Sequence, residues 1–318
     1  MLPYVYRVTK YDPADRNEHG HYTGTEDVYG DHGPMEAAYL TVVAAFAEEA
    51  DITCLAIREP AIAGQVNFGI EAPIDGHGLA DLFPPNLTGY HDGARIPVAT
   101  GLDLVRAMLR DNGAWCRLEA EDRFFVHVGY DQYIYVGSAV PCPHAVVFTH
   151  AKGLFAEPIV RSPYDPELDQ DATDRRSADA AFWAELGTLA AERGAVILEE
   201  GYLHNASRWH RITPHDLAAV RARLAPRARL LVWPDLSANV QAVVASLPAE
   251  GLSEVVWQEL DGHITSRCVD ETDYPALPAL LAEARGAMAL SAYEDDRHPL
   301  LTAVLPDPDG ILRARWAP

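Results

Sequence analysis

Apolar and polar side chains alternate along YVYRVTKY at 4–11, the pattern of a strand with one buried face. A polar, turn-rich loop follows. Pro34 then opens a helical pattern over PMEAAYLTVVAAFAEEA, with Met35, Tyr39, Val42, Val43 and Phe46 on one stripe. ITCLAI and QVNFGIEA read as strands, the first closed by Arg58-Glu59-Pro60. After a long irregular stretch, GLDLVRAMLRDN gives a second helix, with Leu102, Val105 and Leu109 on its apolar stripe and Asn112-Gly113 as its stop. AWCRLEA, RFFVHVG and YIYVGS complete the series as a meander.

A second series begins at Leu230: the strand RLLVWPD, a helix through ANVQAVVASL, and the strands SEVVWQEL and HITSRCV around a tight Asp261-Gly262 turn. YPALPALLAEARG reads as a helix, and AMALSAY, LLTAVLP and ILRARW as strands, the last two joined through Asp309-Gly310, a strong hairpin signal. Both series, Tyr4–Ser138 and Leu230–Trp316, therefore spell strand, helix, two strands, helix and hairpin strands. That order predicts an α+β protein of two ferredoxin-like halves with mainly antiparallel sheets, over 1–163 and 229–318. The intervening 164–228 reads as an acidic linker and a helix-hairpin-helix insert: a helix over ADAAFWAELGTLAAERG, a hairpin turning at His204-Asn205, and a short helix after Thr213-Pro214.

Composition narrows the function classes. Of 318 residues, 48% are hydrophobic, which fits a filled globular core. No secretion signal or spanning segment is legible, so the expected address is the cytoplasm. Four scattered cysteines (Cys54, Cys116, Cys142, Cys268) form no C-x-x-C pair and read as buried free thiols. Net charge is −22, with 22 acids against 11 bases up to Pro163 and 25 against 14 beyond it, so no acidic tail produces the excess. A negative charge spread this evenly disfavours nucleic acid and anionic membrane, and favours a basic protein partner. Oligomeric state has no signature in the sequence.

Candidate chemistry falls in four places. The loop before the first helix collects Glu18, His19, His21, Glu26, Asp27, Asp31, His32 and Glu36, donors suited to a divalent cation or a general base. Their spacing fits no ligand signature, so no metal site is assigned; His32 and Glu36, with His127 from the meander, are taken as candidate catalytic residues. In the meander, alternation sends Phe125, His127 and Gly129 to one face and Phe124, Val126 and Val128 to the other. With Tyr133 and Tyr135 the first set forms an aromatic row of the kind that stacks RNA bases, but the matching basic-glycine-aromatic run is missing and packing is preferred.

The third place is a basic island in an acidic chain: Arg208, Arg211, Arg221, Arg223, Arg227 and Arg229 with Trp209, His210 and a lone acid, Asp216. Arginine's planar fork suits carboxylate or phosphate, so Arg208, Trp209 and Arg211, with Tyr133 and Tyr135, are the candidate ligand-binding residues; docking of the island onto the protein's own acids is the preferred alternative. Fourth, Glu199-Glu200 stand near His204 and His210 without a positioned nucleophile. No G-x-S-x-G, Walker A or G-x-G-x-x-G motif exists, so no cofactor is expected.

The leading expectation is a non-enzymatic binding protein whose acidic surface engages a basic protein, as toxin-neutralising immunity proteins do, an analogy of charge and size only. The alternative is an enzyme acting on a small anionic substrate in a groove between the halves, with a His/acid proton-transfer site. RNA binding on an open sheet face is third.

Overall fold

The computed structural model describes residues 2–19, 21–25, 33–62, 78–129, 132–168 and 175–315, which divide between two compact units. The first holds the described residues up to 168 and the second those from 175 onward. Both mix helices with antiparallel sheet, so the chain is α+β. No helix among the described residues is long and apolar enough to cross a membrane.

In the first unit the elements run β1 (Tyr4–Thr9), α1 (Pro34–Glu49), β2 (Cys54–Ile62), β3 (Arg95–Pro97), α2 (Val98–Leu109), β4 (Ala114–Ala120), β5 (Phe124–Val128), β6 (Ile134–Ser138), α3 (Pro143–Ala151) and β7 (Phe155–Ile159). They build one sheet in the order β3-β2-β4-β5-β6-β1-β7. The first six elements have the expected β-α-β-β-α-β order, but the ferredoxin-like arrangement expected of the halves is not confirmed. A ferredoxin-like sheet sets its first strand among the other three, whereas β1 lies between β6 and β7, apart from β2, β3 and β4. β4, β5 and β6 run outward as successive antiparallel strands, and β1 joins the far end.

Alternation decides what each face of that sheet does. Val8, Leu55, Ile57, Leu118, Val126 and Val136 are buried, and α1 and α2 cover this side. Gly101 brings α2 against β2 and β4, since a Cβ there would stand 2.9 Å from the Leu55 side chain. The opposite side is polar. Register places Arg7, Tyr135, His127, Arg117 and Arg58 directly opposite one another across five neighbouring strands. Arg117 is paired with Glu59, and Arg58 Nη1 lies 3.4 Å from Asp92 Oδ2. Gly137 leaves room for the Phe125 ring, which stacks on His127 at 4.2 Å.

In the second unit α4 (Ala180–Arg193), β8 (Val196–Leu203), β9 (Ala206–Ile212), α5 (Leu217–Arg221) and β10 (Arg229–Pro234) are followed by α6 (Val240–Ala245), β11 (Ser253–Gln258), β12 (Ile264–Val269), α7 (Leu277–Leu280), β13 (Gly286–Ser291) and β14 (Leu301–Val304). Two sheets form, β14-β10-β8-β9 and β12-β11-β13. The helix, hairpin and short helix expected over 164–228 exist, but their being a separate insert is not confirmed. β8 pairs with β10 along six residues and so sits inside the sheet. ILRARW is not a strand over its described residues: β14 pairs with β10 instead of turning back on 311–315. The helix expected over YPALPALLAEARG shrinks to a 3-10 turn at Tyr274–Ala276 and the four residues of α7, because Pro275 and Pro278 each remove a backbone donor. QVNFGIEA lies outside the described residues.

The two sheets pack face to face. Ile197, Trp209 and Trp233 from the first meet Val256, Ile264 and Met288 from the second. Phe182, Trp183 and Leu186 of α4 with Val220 of α5 cover the outer face of one sheet; residues of α6 and α7 cover the other. Each such large apolar side chain contributes about 1.5–3 kcal/mol on burial. The seam also holds charge. Arg297 lies between Glu199 of β8 and Glu254 of β11, with Nη1 3.3 Å from Glu199 Oε1 and Nη2 on Glu254. Trp233 Nε1 and Ser207 Oγ donate to Glu199 at 2.9 Å each. Burial still outweighs these partners and pushes the Glu199 carboxyl above its ordinary pKa.

One path recurs three times: helix, hairpin, helix and a third strand returning antiparallel to the first. It is traced by α1-β2-β3-α2-β4, α4-β8-β9-α5-β10 and α6-β11-β12-α7-β13. In every copy the hairpin's second strand (β3, β9, β12) is the edge of its sheet.

Candidate functional site

β9 and β12, equivalent edges of two copies of that path, flank an open cleft of about 710 Å³ in the second unit. Strand alternation explains the two chemistries that β9 brings to it. Trp209 and Arg211 lean toward the seam between the sheets, and Arg208 and His210 toward the helix-covered side. Because β9 is an edge, the cleft reaches around both. Arg223 and Asp216 from the α5 segment, and His263, Thr265 and Ser266 from the β12 arm, close the lining.

His210 is held from below. Its Nε2 lies 2.7 Å from Oε2 of Glu200, a carboxylate with no solvent exposure. Glu200 Oε1 accepts from the backbone N–H of Ala225 at 2.6 Å and lies 3.6 Å from Arg208 Nη1. A carboxylate on one ring nitrogen fixes the imidazole's orientation and leaves Nδ1 as its second polar atom.

The arginines differ in how strongly they are held. Arg208 stacks its guanidinium 3.8 Å above the Tyr202 ring. Arg211 makes a two-pronged bond to Asp235, at 2.8 and 2.6 Å, and that bond raises its pKa. Arg223 is exposed and makes no ion pair among the described residues. Trp209 is mainly core: it is 7% exposed, and its Nε1 donates to Ser266 Oγ at 3.1 Å. Beyond the cleft, Arg221 covers the Trp183 ring at 5.1 Å and Arg227 pairs with Asp307. The basic island thus splits between docking on its own chain and lining the cleft.

The other candidates lie in the first unit. Tyr133 accepts from Arg16 Nη2 at 3.1 Å and faces Arg7 at 5.8 Å, and Tyr135 sits against Tyr164. His127 is 1% exposed, with Nδ1 3.0 Å from Ser162 Oγ and Nε2 3.8 Å from Glu119. Glu36 is on α1, where it accepts from Arg110 at 2.6 and 2.9 Å. The sheet separates Glu36 from His127, so the two do not form one catalytic group. His32 lies outside the described residues, as do Glu26, Asp27 and Asp31. His19 and Glu18 are 3.5 Å apart on an exposed loop. Among the described residues no three His, Cys, Asp or Glu side chains group as metal ligands.

The β12 arm of the cleft was absent from the sequence reading. The only signal that could have found it is the recurrence of the hairpin-helix-strand path, which makes the second strands of neighbouring copies equivalent. No family model, curated protein or solved structure matches the chain.

Proposed function

We propose that this chain is a binding protein whose second unit takes an anionic ligand in the cleft between β9 and β12. One observation carries the reading. A protein of net charge −22 gathers Arg208, Arg211, Arg223 and His210 around its β9 edge, and Arg223 makes no ion pair among the described residues. A guanidinium left exposed on a concave surface is available for a carboxylate or phosphate group. The cleft lies within the second unit, so the expected groove between two halves has no part in the reading. Four free cysteines agree with a cytoplasmic address.

Calorimetric titration of the full chain with sulfate, phosphate and a dicarboxylate tests it. Saturable binding of at least one anion, weakened about tenfold in R223A, is the expected result, since a charge-assisted bond contributes about 1.5–3 kcal/mol. Absence of saturable binding to all three would reject the reading.

A second reading, capture of a basic protein, is favoured by a groove of about 370 Å³ where Trp257, Leu260 and Leu280 lie beside Glu259, Asp261 and Glu283. Leu260 and Leu280 are 56% and 42% exposed. Apolar floor and acidic rim suit the stem and head of a lysine or arginine. A basic partner held there would bind less tightly as salt rises, and L280R would weaken it more than any variant of the cleft.

A further inference from the structure

We infer that the β9–β12 cleft is built for a doubly charged oxyanion group, a sulfate or a phosphate ester, and that His210 takes up a proton when that group binds. The inference rests on the anion reading of the cleft and adds the ligand's charge and the residue that responds to it.

The charges around His210 come from each element packed there. β8 supplies Glu200. β9 supplies Arg208 on the same side of the strand and Arg211 on the other, the latter tied to Asp235. The α5 segment supplies Asp216 and Arg223, and the β12 arm supplies His263. With both imidazoles neutral, three guanidiniums face three carboxylates and the cleft has no net charge. A proton on His210 tips it positive.

Glu200 is placed to stabilise the charged ring, because its carboxylate lies 2.7 Å from Nε2 and is shut off from water. An arriving dianion brings two negative charges to a neutral site. Imidazole is the one lining group whose charge ordinarily changes between about pH 5 and pH 8. Binding and protonation then strengthen each other equally, as linkage requires. A monoanion gains less from the same proton, which is how the cleft distinguishes the two.

Sulfate is the probe, since it stays a dianion across this range while free phosphate titrates within it. The full chain is titrated by calorimetry at pH 8, 7 and 6, at constant ionic strength, in two buffers of different ionisation heat. Sulfate should bind about five- to tenfold more tightly at pH 6 than at pH 8, with proton uptake seen as a buffer-dependent heat. H210Q, folded by circular dichroism, should bind at all three pH values with the weak affinity of the alkaline limit. E200Q should move the steep region to lower pH. Sulfate binding without proton uptake, or a pH slope that survives in H210Q, would overturn the coupling while leaving the anion site standing. No sulfate binding even at pH 6 would overturn the inference, and the anion reading falls with it if phosphate and the dicarboxylate fail as well.

Discussion

Arg297 Nη1 lies 3.3 Å from Glu199 Oε1 in the seam between the two sheets of the second unit, and its other terminal nitrogen is on Glu254. One cation therefore serves two enclosed carboxylates. R297A leaves both without a counter-charge, and removing one partner of a buried pair costs about 3–5 kcal/mol. Urea unfolding followed by tryptophan fluorescence should show that loss, because Trp233 donates to Glu199 and reports on the same place.

Glu199 itself works against the fold at high pH. Burial raises its pKa in the folded state, so the folded chain binds this proton more readily than the unfolded one. Stability from this group is present at acidic pH and declines as pH rises from the ordinary glutamate range through the raised folded value. E199Q removes the titration and turns one of the two accepting oxygens into a donor. Its thermal midpoint relative to wild type should therefore rise between pH 4 and pH 8.

Asp307 has the opposite sign. Hydrogen bonding from Arg227, at 2.7 and 2.8 Å, and from Arg313 holds its carboxyl below the usual aspartate pKa. The contribution is complete above that usual value and fades as pH falls through the lowered one. D307A should cost about 1.5–3 kcal/mol at pH 7, with the gap to wild type closing in unfolding curves below about pH 4.

Glu36 ties α1 to α2 through Arg110, with no part in the cleft. E36A should lower the stability of the first unit by about 1–3 kcal/mol, as expected when charged hydrogen bonds are cut. Anion binding measured by calorimetry should be unchanged.

At Gly137 a Cβ would collide with the Phe125 ring. G137A must displace that ring and with it the stack on His127, at a cost of about 1–3 kcal/mol by overpacking. The His127 ring-proton NMR signals should move, because they lose the Phe125 ring current.

Local periodicity was enough to find α1, α2 and the β4-β5-β6 meander, since Val42, Phe46 and Val126 occupy the buried positions their spacing demands. Which strands become neighbours was not legible. β1 lies between β6 and β7, more than a hundred residues away, and nothing in YVYRVTKY states that choice. α3 escaped because its stripe is weak: Val147 is 69% exposed while Thr149 is buried. For the site, Arg208, Trp209 and Arg211 could be found because basic residues stand out in an acidic chain. Tyr133 and Tyr135 belong to the first unit, and aromatic alternation alone does not say which sheet faces which ligand.

A chain that follows one path three times also leaves a raw selvedge in each sheet where the path's second strand lies. Unsatisfied main-chain groups along such margins invite another molecule to zip on, and bulky cations are a natural deterrent. β3 is only three residues long and ends in Pro97. β9 bears Arg208 and Arg211, and β12 bears Arg267, 53% exposed. The arginines of β9 and β12 thus stand on the very borders where such zipping would begin.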